Sequence, residues 1–229
     1  MMSTNLPGIC FVGCGKIAES HAKNLRKLYG NIPLFFQDSD ISRALALKTQ
    51  FRGENAFPEL EHALDSDKVH IVFITTPHAY HAEIACAAAK KRKDIILEKP
   101  IARNLNEIKK ITEAVAKFKV RCTVAENYMF KSFVHKITGS VQNGHIGKPL
   151  FLEINKSNRD NITGWRANLN LMGGGALLEG GVHWINLLVS LADSDPVSVI
   201  AVKPEVEYET NVPFEDTLTL LVKFKNGVT

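Results

Sequence analysis

Gly13-Cys14-Gly15-Lys16-Ile17-Ala18, set between the apolar run Ile9-Cys10-Phe11-Val12 and a helical pattern over residues 18–29, decides the fold of the first half of this chain. A buried strand that turns tightly into a helix needs a glycine at the turn, here Gly13. It needs a second glycine, Gly15, where the backbone approaches an anion, and a small residue, Ala18, where the helix packs on the strand. The helix N-terminus that results faces the anion with free N–H groups, which draws a pyrophosphate to Gly13, Gly15, Lys16 and Ile17. Taken alone the motif could be a glycine-rich turn; its place between strand and helix is what raises it.

Working outward, further short apolar runs occur at residues 34–36, 71–74, 95–97 and 122–125, with helical patterns over residues 18–29, 42–51, 79–90 and 105–118 between them. The runs do not alternate with polar residues, as expected of strands covered on both faces, and at least five of them build a parallel sheet flanked by helices. The expected fold is therefore α/β, a doubly wound Rossmann sheet over residues 1–126. After that the pattern changes. A helical stretch over residues 128–142 ends at Asn143-Gly144, residues 150–155 read as extended, and strands over residues 197–202 and 217–224 have no helix between them. Residues 127–229 are expected to form an α+β substrate and oligomerisation domain with an antiparallel sheet. That sheet is expected to be truncated, since Asn226-Gly227 should turn into another strand.

The chain has 229 residues, 45% of them apolar, and a net charge of +4. Its basic residues are scattered apart from Lys90-Lys91-Arg92-Lys93, which reads as a solvated helix end; no aromatic residues interleave, so nucleic-acid binding is not expected. The four cysteines, Cys10, Cys14, Cys86 and Cys122, form no ligand-like spacing, and neither a metal site nor a disulfide framework follows. With no export signal at Met1 to Pro7 and no uninterrupted apolar run near the ~20 residues of a membrane span, the expected setting is cytoplasmic, away from membranes.

Asp38 ends the second run, where an acidic side chain can hydrogen-bond both adenosine ribose hydroxyls and so favours NAD. It could instead be a turn or capping residue, a role for which Asp40 competes, and Arg43 could accommodate the 2′-phosphate of NADP. Thr75-Thr76-Pro77 and Glu98-Lys99-Pro100 follow two other runs, at strand ends where ligands of open α/β sheets bind. Each could also be ordinary strand-end chemistry. Lys99, held between a buried strand and a proline, can donate to a substrate oxygen and stabilise a developing alkoxide; a Lys-Pro bond can also be cis.

In the run from Gly173 to Asn186, a helix from about Ala176 would place Leu178, Val182, Ile185 and Val189 on one face and Glu179, His183 and Asn186 on another. Gly180 and Gly181 each cost a helix roughly 1 kcal/mol relative to alanine, so close approach of a ligand or another backbone is expected there. Glu179 one turn before His183 suggests a carboxylate that orients an imidazole for acid/base work.

The combination of Gly13-x-Gly15-x-x-Ala18, Thr76-Pro77 with His81, Glu98-Lys99-Pro100, Trp165-Arg166 and the glycine-rich run to His183 resembles the Gfo/Idh/MocA oxidoreductase family. The resemblance implies hydride transfer between NAD(P) and a secondary alcohol or ketone of a sugar, cyclitol or similar polyhydroxylated substrate. It places Lys99 and His183 as catalytic residues. Glu98 falls by the nicotinamide ribose, and Thr75, Thr76, Pro77 and His81 among the cofactor contacts. Where the family has an aspartate four residues before the histidine, this chain has Glu179. Arg159, Trp165 and Arg166 are candidates for substrate contact, and a homodimer or homotetramer is implied. Two other classes share the cofactor fold: an NAD-dependent glycosidase-like enzyme with no net redox change, and a non-catalytic NAD(P)-binding regulator.

Overall fold

The computed structural model describes residues 6–158, 161–205 and 212–229, and divides into two compact units, Met1–Ala125 and Glu126–Thr229. In the first, six strands form one parallel sheet: β1 (Ile9–Val12), β2 (Leu34–Gln37), β3 (Asn55–Phe57), β4 (Ile71–Ile74), β5 (Asp94–Leu97) and β6 (Cys122–Val124). Their spatial order is β3-β2-β1-β4-β5-β6, the order of a Rossmann fold, and chain direction across the sheet reverses between β1 and β4. Gly13 and Thr75 stand at the carboxyl ends of those two strands, the place where ligands of open α/β sheets bind.

Alternation along β1 shows why the strands read as unbroken apolar runs. Ile9 and Phe11 face one core with Leu34, Phe36 and Phe73, while Cys10 and Val12 face another with Val72, Ile74, Ile95 and Leu97. On the first side lie helices α1 (Lys16–Tyr29) and α2 (Ile41–Gln50), which bury Ala18, Ala22, Ala44 and Leu47. A short helix, α3 (Leu60–Asp65), α4 (His81–Lys90) and α5 (Leu105–Phe118) cover the other side. Helix α4 comes close through Ala82, Ala85, Ala88 and Ala89, all buried.

Both ends of α5 are set by sequence. The Asn104 side chain accepts from the Glu107 N–H at 3.0 Å, and Lys119 closes the helix in a left-handed conformation. Strand β3 was not expected, because three residues, one of them exposed, carry no apolar run. The pattern over residues 79–90 resolves into a 3-10 turn, His78–Tyr80, and then α4.

The second unit contains a 3-10 turn (Tyr128–Phe130), α6 (Ser132–Gln142), a 3-10 turn (Gly164–Ala167), a single helical turn α7 (Leu169–Met172), a π-helical turn (Leu177–Gly181), α8 (Val182–Ala192), and strands β7 (Pro196–Val202) and β8 (Thr219–Phe224). Strands β7 and β8 pair antiparallel, as expected. Residues 150–155 make no ladder of their own; the Leu152 N–H donates to the Thr229 carbonyl at 2.9 Å.

The apolar stripe expected on α8 is corrected. Ile185 and Val189 are more than a third exposed, and the inward stripe is Leu187 and Leu191, buried, with Trp184 and Leu188 half-buried beside them, packed on Val134, Leu152 and Phe224. The π turn before α8 breaks the 3.6-residue phase that extrapolation from Leu178 assumed. By length and composition alone the helical stretch Leu169–Ala192 is apolar enough to cross a membrane, which counting uninterrupted apolar residues did not register. Asn170, Glu179, His183 and Asn186 lie within it.

Candidate functional site

In the first unit the glycine-rich loop follows the strand-to-helix geometry its residues demand. Gly13 has φ +93°, and a Cβ there would lie 2.9 Å from both the Cγ2 and the backbone nitrogen of Thr76. Gly15 caps α1 in an extended conformation with no side chain on the helix's first N–H groups, and a Cβ there would meet nothing within 4 Å. Lys16 and Ile17 form the exposed first turn. Open space, unclaimed N–H groups and the positive end of a fourteen-residue helix coincide.

Asp38 reaches into this loop from the end of β2. Its Oδ2 accepts from the Cys14 N–H at 2.7 Å and its Oδ1 from the Asp40 N–H at 2.9 Å. Asp40 caps α2 through Ser42, which holds its carboxyl below the usual range, so both aspartates make turn or capping bonds of the kind the sequence left open. Burial, with Asp38 beside it, pushes the Cys14 thiol up to about 12 and keeps it neutral. Arg43 pairs with Asp40 at 3.5 Å.

At the end of β4, the Thr75 hydroxyl donates inward to the Gly13 carbonyl at 2.6 Å and is used in holding the loop. The Thr76 hydroxyl is different: it is buried and has no hydrogen-bond partner among the described residues. A buried hydroxyl without a partner costs about 1–3 kcal/mol, so a ligand atom that supplies one gains accordingly. Pro77 opens the following 3-10 turn.

His81 is corrected. It is fully buried, with Nδ1 3.0 Å from the Pro100 carbonyl and Nε2 3.1 Å from the Thr76 carbonyl. No ring atom is open to a cofactor. The imidazole instead ties the loop after β4 to the loop after β5, and burial pushes its pKa below the ordinary value.

Glu98 and Lys99 follow β5, and the Lys99-Pro100 bond is cis. Glu98 Oε2 accepts from the Lys99 N–H at 3.1 Å, while Oε1 stands 2.6 Å from Nε2 of His21. His21 packs on Phe73 with ring centroids 4.6 Å apart. Sequence reading missed His21; the signal was its position four residues after Ile17, on the same face of α1.

In the second unit His183 lies on α8, but its carboxylate is not Glu179. Nδ1 of His183 is 2.5 Å from Oε2 of Glu126, a residue to which no role was assigned, and both side chains are largely buried. The Tyr128 ring stacks on the imidazole at 4.3 Å, Trp184 meets Tyr128 edge-on, and the Lys131 ammonium lies over the Tyr128 ring. Glu179 lies in the π turn and pairs with Arg166 at 3.3 Å; Arg166 also lies over the Trp165 ring. Arg159 lies outside the described residues.

Of the ligand or backbone approach expected at Gly180 and Gly181, the tight backbone kind is found among the described residues at Gly175 instead. A Cβ there would come 2.0 Å from the Glu215 carbonyl oxygen, which accepts from Ala176 N–H, while the Glu215 carboxylate accepts from Gly175 N–H at 3.1 Å. Glu215 thus caps the helical stretch that carries His183.

Comparison with known proteins adds two family matches that together span nearly the whole chain. Residues 8–126 match the family described as "Oxidoreductase family, NAD-binding Rossmann fold", and residues 134–229 match the "GFO/IDH/MocA C-terminal domain". Among curated relatives, the myo-inositol 2-dehydrogenase of Thermotoga maritima is 26% identical over 94% of this chain and 64% of its own length. The levoglucosan dehydrogenase of Pseudarthrobacter phenanthrenivorans is 28% identical over 77% of this chain and 48% of its own. Among solved structures, levoglucosan dehydrogenase in complex with NADH and levoglucosan superposes with a TM-score of 0.82 at 25% identity, covering 97% of this chain and 65% of that one. The chain thus spans at most about two thirds of the length of these relatives.

Proposed function

The chain belongs to the Gfo/Idh/MocA oxidoreductase family, and on that premise we propose that it binds NAD and serves a dehydrogenase that oxidises a secondary alcohol of a sugar or cyclitol, or reduces the matching ketone. The observation that carries the cofactor assignment is the buried, unpartnered Thr76 hydroxyl in the loop that packs against Gly13, with Gly15 open at the start of α1. The pyrophosphate is assigned to Gly13, Gly15, Lys16 and Ile17. Asp38 takes the adenosine ribose: each carboxylate oxygen already holds one backbone N–H and keeps lone-pair capacity for a ribose hydroxyl. Its negative charge opposes a 2′-phosphate, which favours NAD over NADP. Thr76 and Pro77 are assigned to the nicotinamide side, with Glu98 at its ribose.

When bound, the nicotinamide supplies the acceptor for the hydride that leaves the carbinol carbon. The protein's part is the proton and the oxygen. As that C–H electron pair departs, the hydroxyl proton passes to Nε2 of His183, the C–O bond becomes C=O, and the Lys99 ammonium stabilises the oxygen by hydrogen bonding. The proton then leaves to solvent, which balances one alcohol and NAD⁺ against one ketone, NADH and one proton. Trp165 and Arg166 are assigned to the substrate side, with Glu179 holding Arg166. We extend the same reading to a homodimer or homotetramer in a reducing, cytoplasmic setting, supported by four free cysteines and by a β7 exposed along its whole length.

The test is NADH formation on a panel of cyclitols and sugars. Lys99→Ala and His183→Asn are each expected to lower kcat by about 10²–10⁴-fold. Normal turnover in either variant removes that residue from the mechanism. Product released without net NADH would favour the glycosidase-like class instead, and tight NADH binding with no turnover the regulator.

A further inference from the structure

We propose that Glu126 is the positioning residue of His183, fixing the imidazole as its Nδ1–H tautomer so that the Nε2 lone pair is available as the base. The inference rests on the role proposed for His183 but is carried by separate geometry. A carboxylate is an acceptor only, so the 2.5 Å contact to Nδ1 requires the ring to donate from that nitrogen. A neutral ring with its proton on Nδ1 carries its lone pair on Nε2.

Three further restraints make this a built arrangement. The other Glu126 oxygen, Oε1, accepts from the Tyr128 N–H at 2.7 Å, so the carboxylate is locked by its own backbone turn. Tyr128, placed by that same turn, stacks on the imidazole with 17° between ring planes. Trp184, the neighbour of His183 on α8, meets Tyr128 edge-on at 4.8 Å. A turn from Glu126 to Phe130 thus supplies both the hydrogen bond that selects the tautomer and the ring that sets the plane. The charged groups bearing on the ring are Glu126 directly and Lys131 through the Tyr128 face.

Glu179, four residues before His183, would have been the expected orienting acid, but its carboxylate pairs with the Arg166 guanidinium. The work of orienting the base has passed to a carboxylate 57 residues upstream. A plain structural ion pair between the turn and α8 would make the same contact. It would not make the position of the proton on His183 depend on the chemistry of residue 126.

The experiment is long-range ¹H–¹⁵N NMR of the histidine-labelled chain at alkaline pH, with His183 assigned by the signal missing in His183→Asn. The wild type is expected to show a pyrrole-type Nδ1 and a pyridine-type Nε2. Glu126→Gln keeps the shape but can present an amide N–H to Nδ1, so the signals are expected to move toward the Nε2–H tautomer, with thermal unfolding checking that the fold is kept. In turnover assays the same variant should lose about 10–100-fold in kcat with KM changed less than about threefold. An Nε2–H tautomer in the wild type, or an unchanged Nδ1–H signal in Glu126→Gln, overturns the inference. These outcomes separate from failure of the dehydrogenase reading, which is read from turnover of His183→Asn and leaves the tautomer result standing.

Discussion

His21 Nε2 stands 2.6 Å from Glu98 Oε1, so the helix that follows the glycine-rich loop is bonded directly to the residue beside Lys99. The carboxylate is held from both sides, by that imidazole and by the Lys99 N–H. If Glu98 contacts the nicotinamide ribose, freeing it should weaken cofactor binding more than it weakens the fold. A hydrogen bond to a charged group contributes about 1.5–3 kcal/mol, and the His21 side chain is 27% exposed, which argues for the low end. His21→Ala is therefore expected to raise the NADH dissociation constant by about tenfold in a fluorescence titration. An unchanged constant would remove His21 from the site.

Gly13 and Gly15 should separate fold from binding. Gly13→Ala puts a methyl 2.9 Å from the Thr76 backbone at φ +93°, so it is expected to cost about 2–4 kcal/mol in urea unfolding. Gly15→Ala meets nothing in the free protein and should change stability by less than about 0.5 kcal/mol. Its methyl would nevertheless occupy the space assigned to the pyrophosphate. Calorimetric titration with NAD should show binding lost in Gly15→Ala; retained affinity would place the dinucleotide elsewhere.

Asp38 combines a structural and a recognition role, and one substitution should expose both. Asp38→Ala leaves the buried Cys14 N–H without its acceptor, at a cost of about 1–3 kcal/mol. It also removes the charge that opposes a 2′-phosphate. The variant is expected to unfold at lower denaturant and to bind NADP better relative to NAD than the parent does. A drop in stability with an unchanged cofactor ratio would leave Asp38 as a structural residue only.

The sheet and the glycine-rich turn after β1 were legible in sequence because their signals are local. Unbroken apolar runs mark buried parallel strands, and the glycine spacing marks the turn from β1 into α1. Strand β3 escaped because Asn55-Ala56-Phe57 has no run to read. The partner of His183 escaped for a different reason. An i, i+4 argument from Glu179 assumes α-helical phase, and the segment is π-helical up to Gly181. Glu126 could not be inferred from spacing at all, because the bond that matters is made by tertiary packing. His81 was visible as a motif member, but only burial shows that its two nitrogens face backbone carbonyls.

That last residue sets two effects against each other, and pH decides between them. Two carbonyls within 3.1 Å favour a doubly protonated ring, and Glu98 pulls the same way; burial, the largest influence, disfavours the charge and holds the pKa below its ordinary value. In the unfolded chain the ring titrates near about 6.5. Above that pH neither state binds the proton, so His81 adds no slope. As pH falls below about 6.5 the unfolded state takes up a proton that the native state refuses until its lower pKa is reached, so stability falls across that window, by at most about 1.4 kcal/mol per pH unit. Wild type minus His81→Gln, followed by thermal unfolding from pH 8 to pH 5, isolates this residue from the other histidines. The expected difference is a loss of wild-type advantage on acidification. A gain would mean that the carbonyls outweigh burial and that His81 carries a charge between the loops of Thr76 and Pro100.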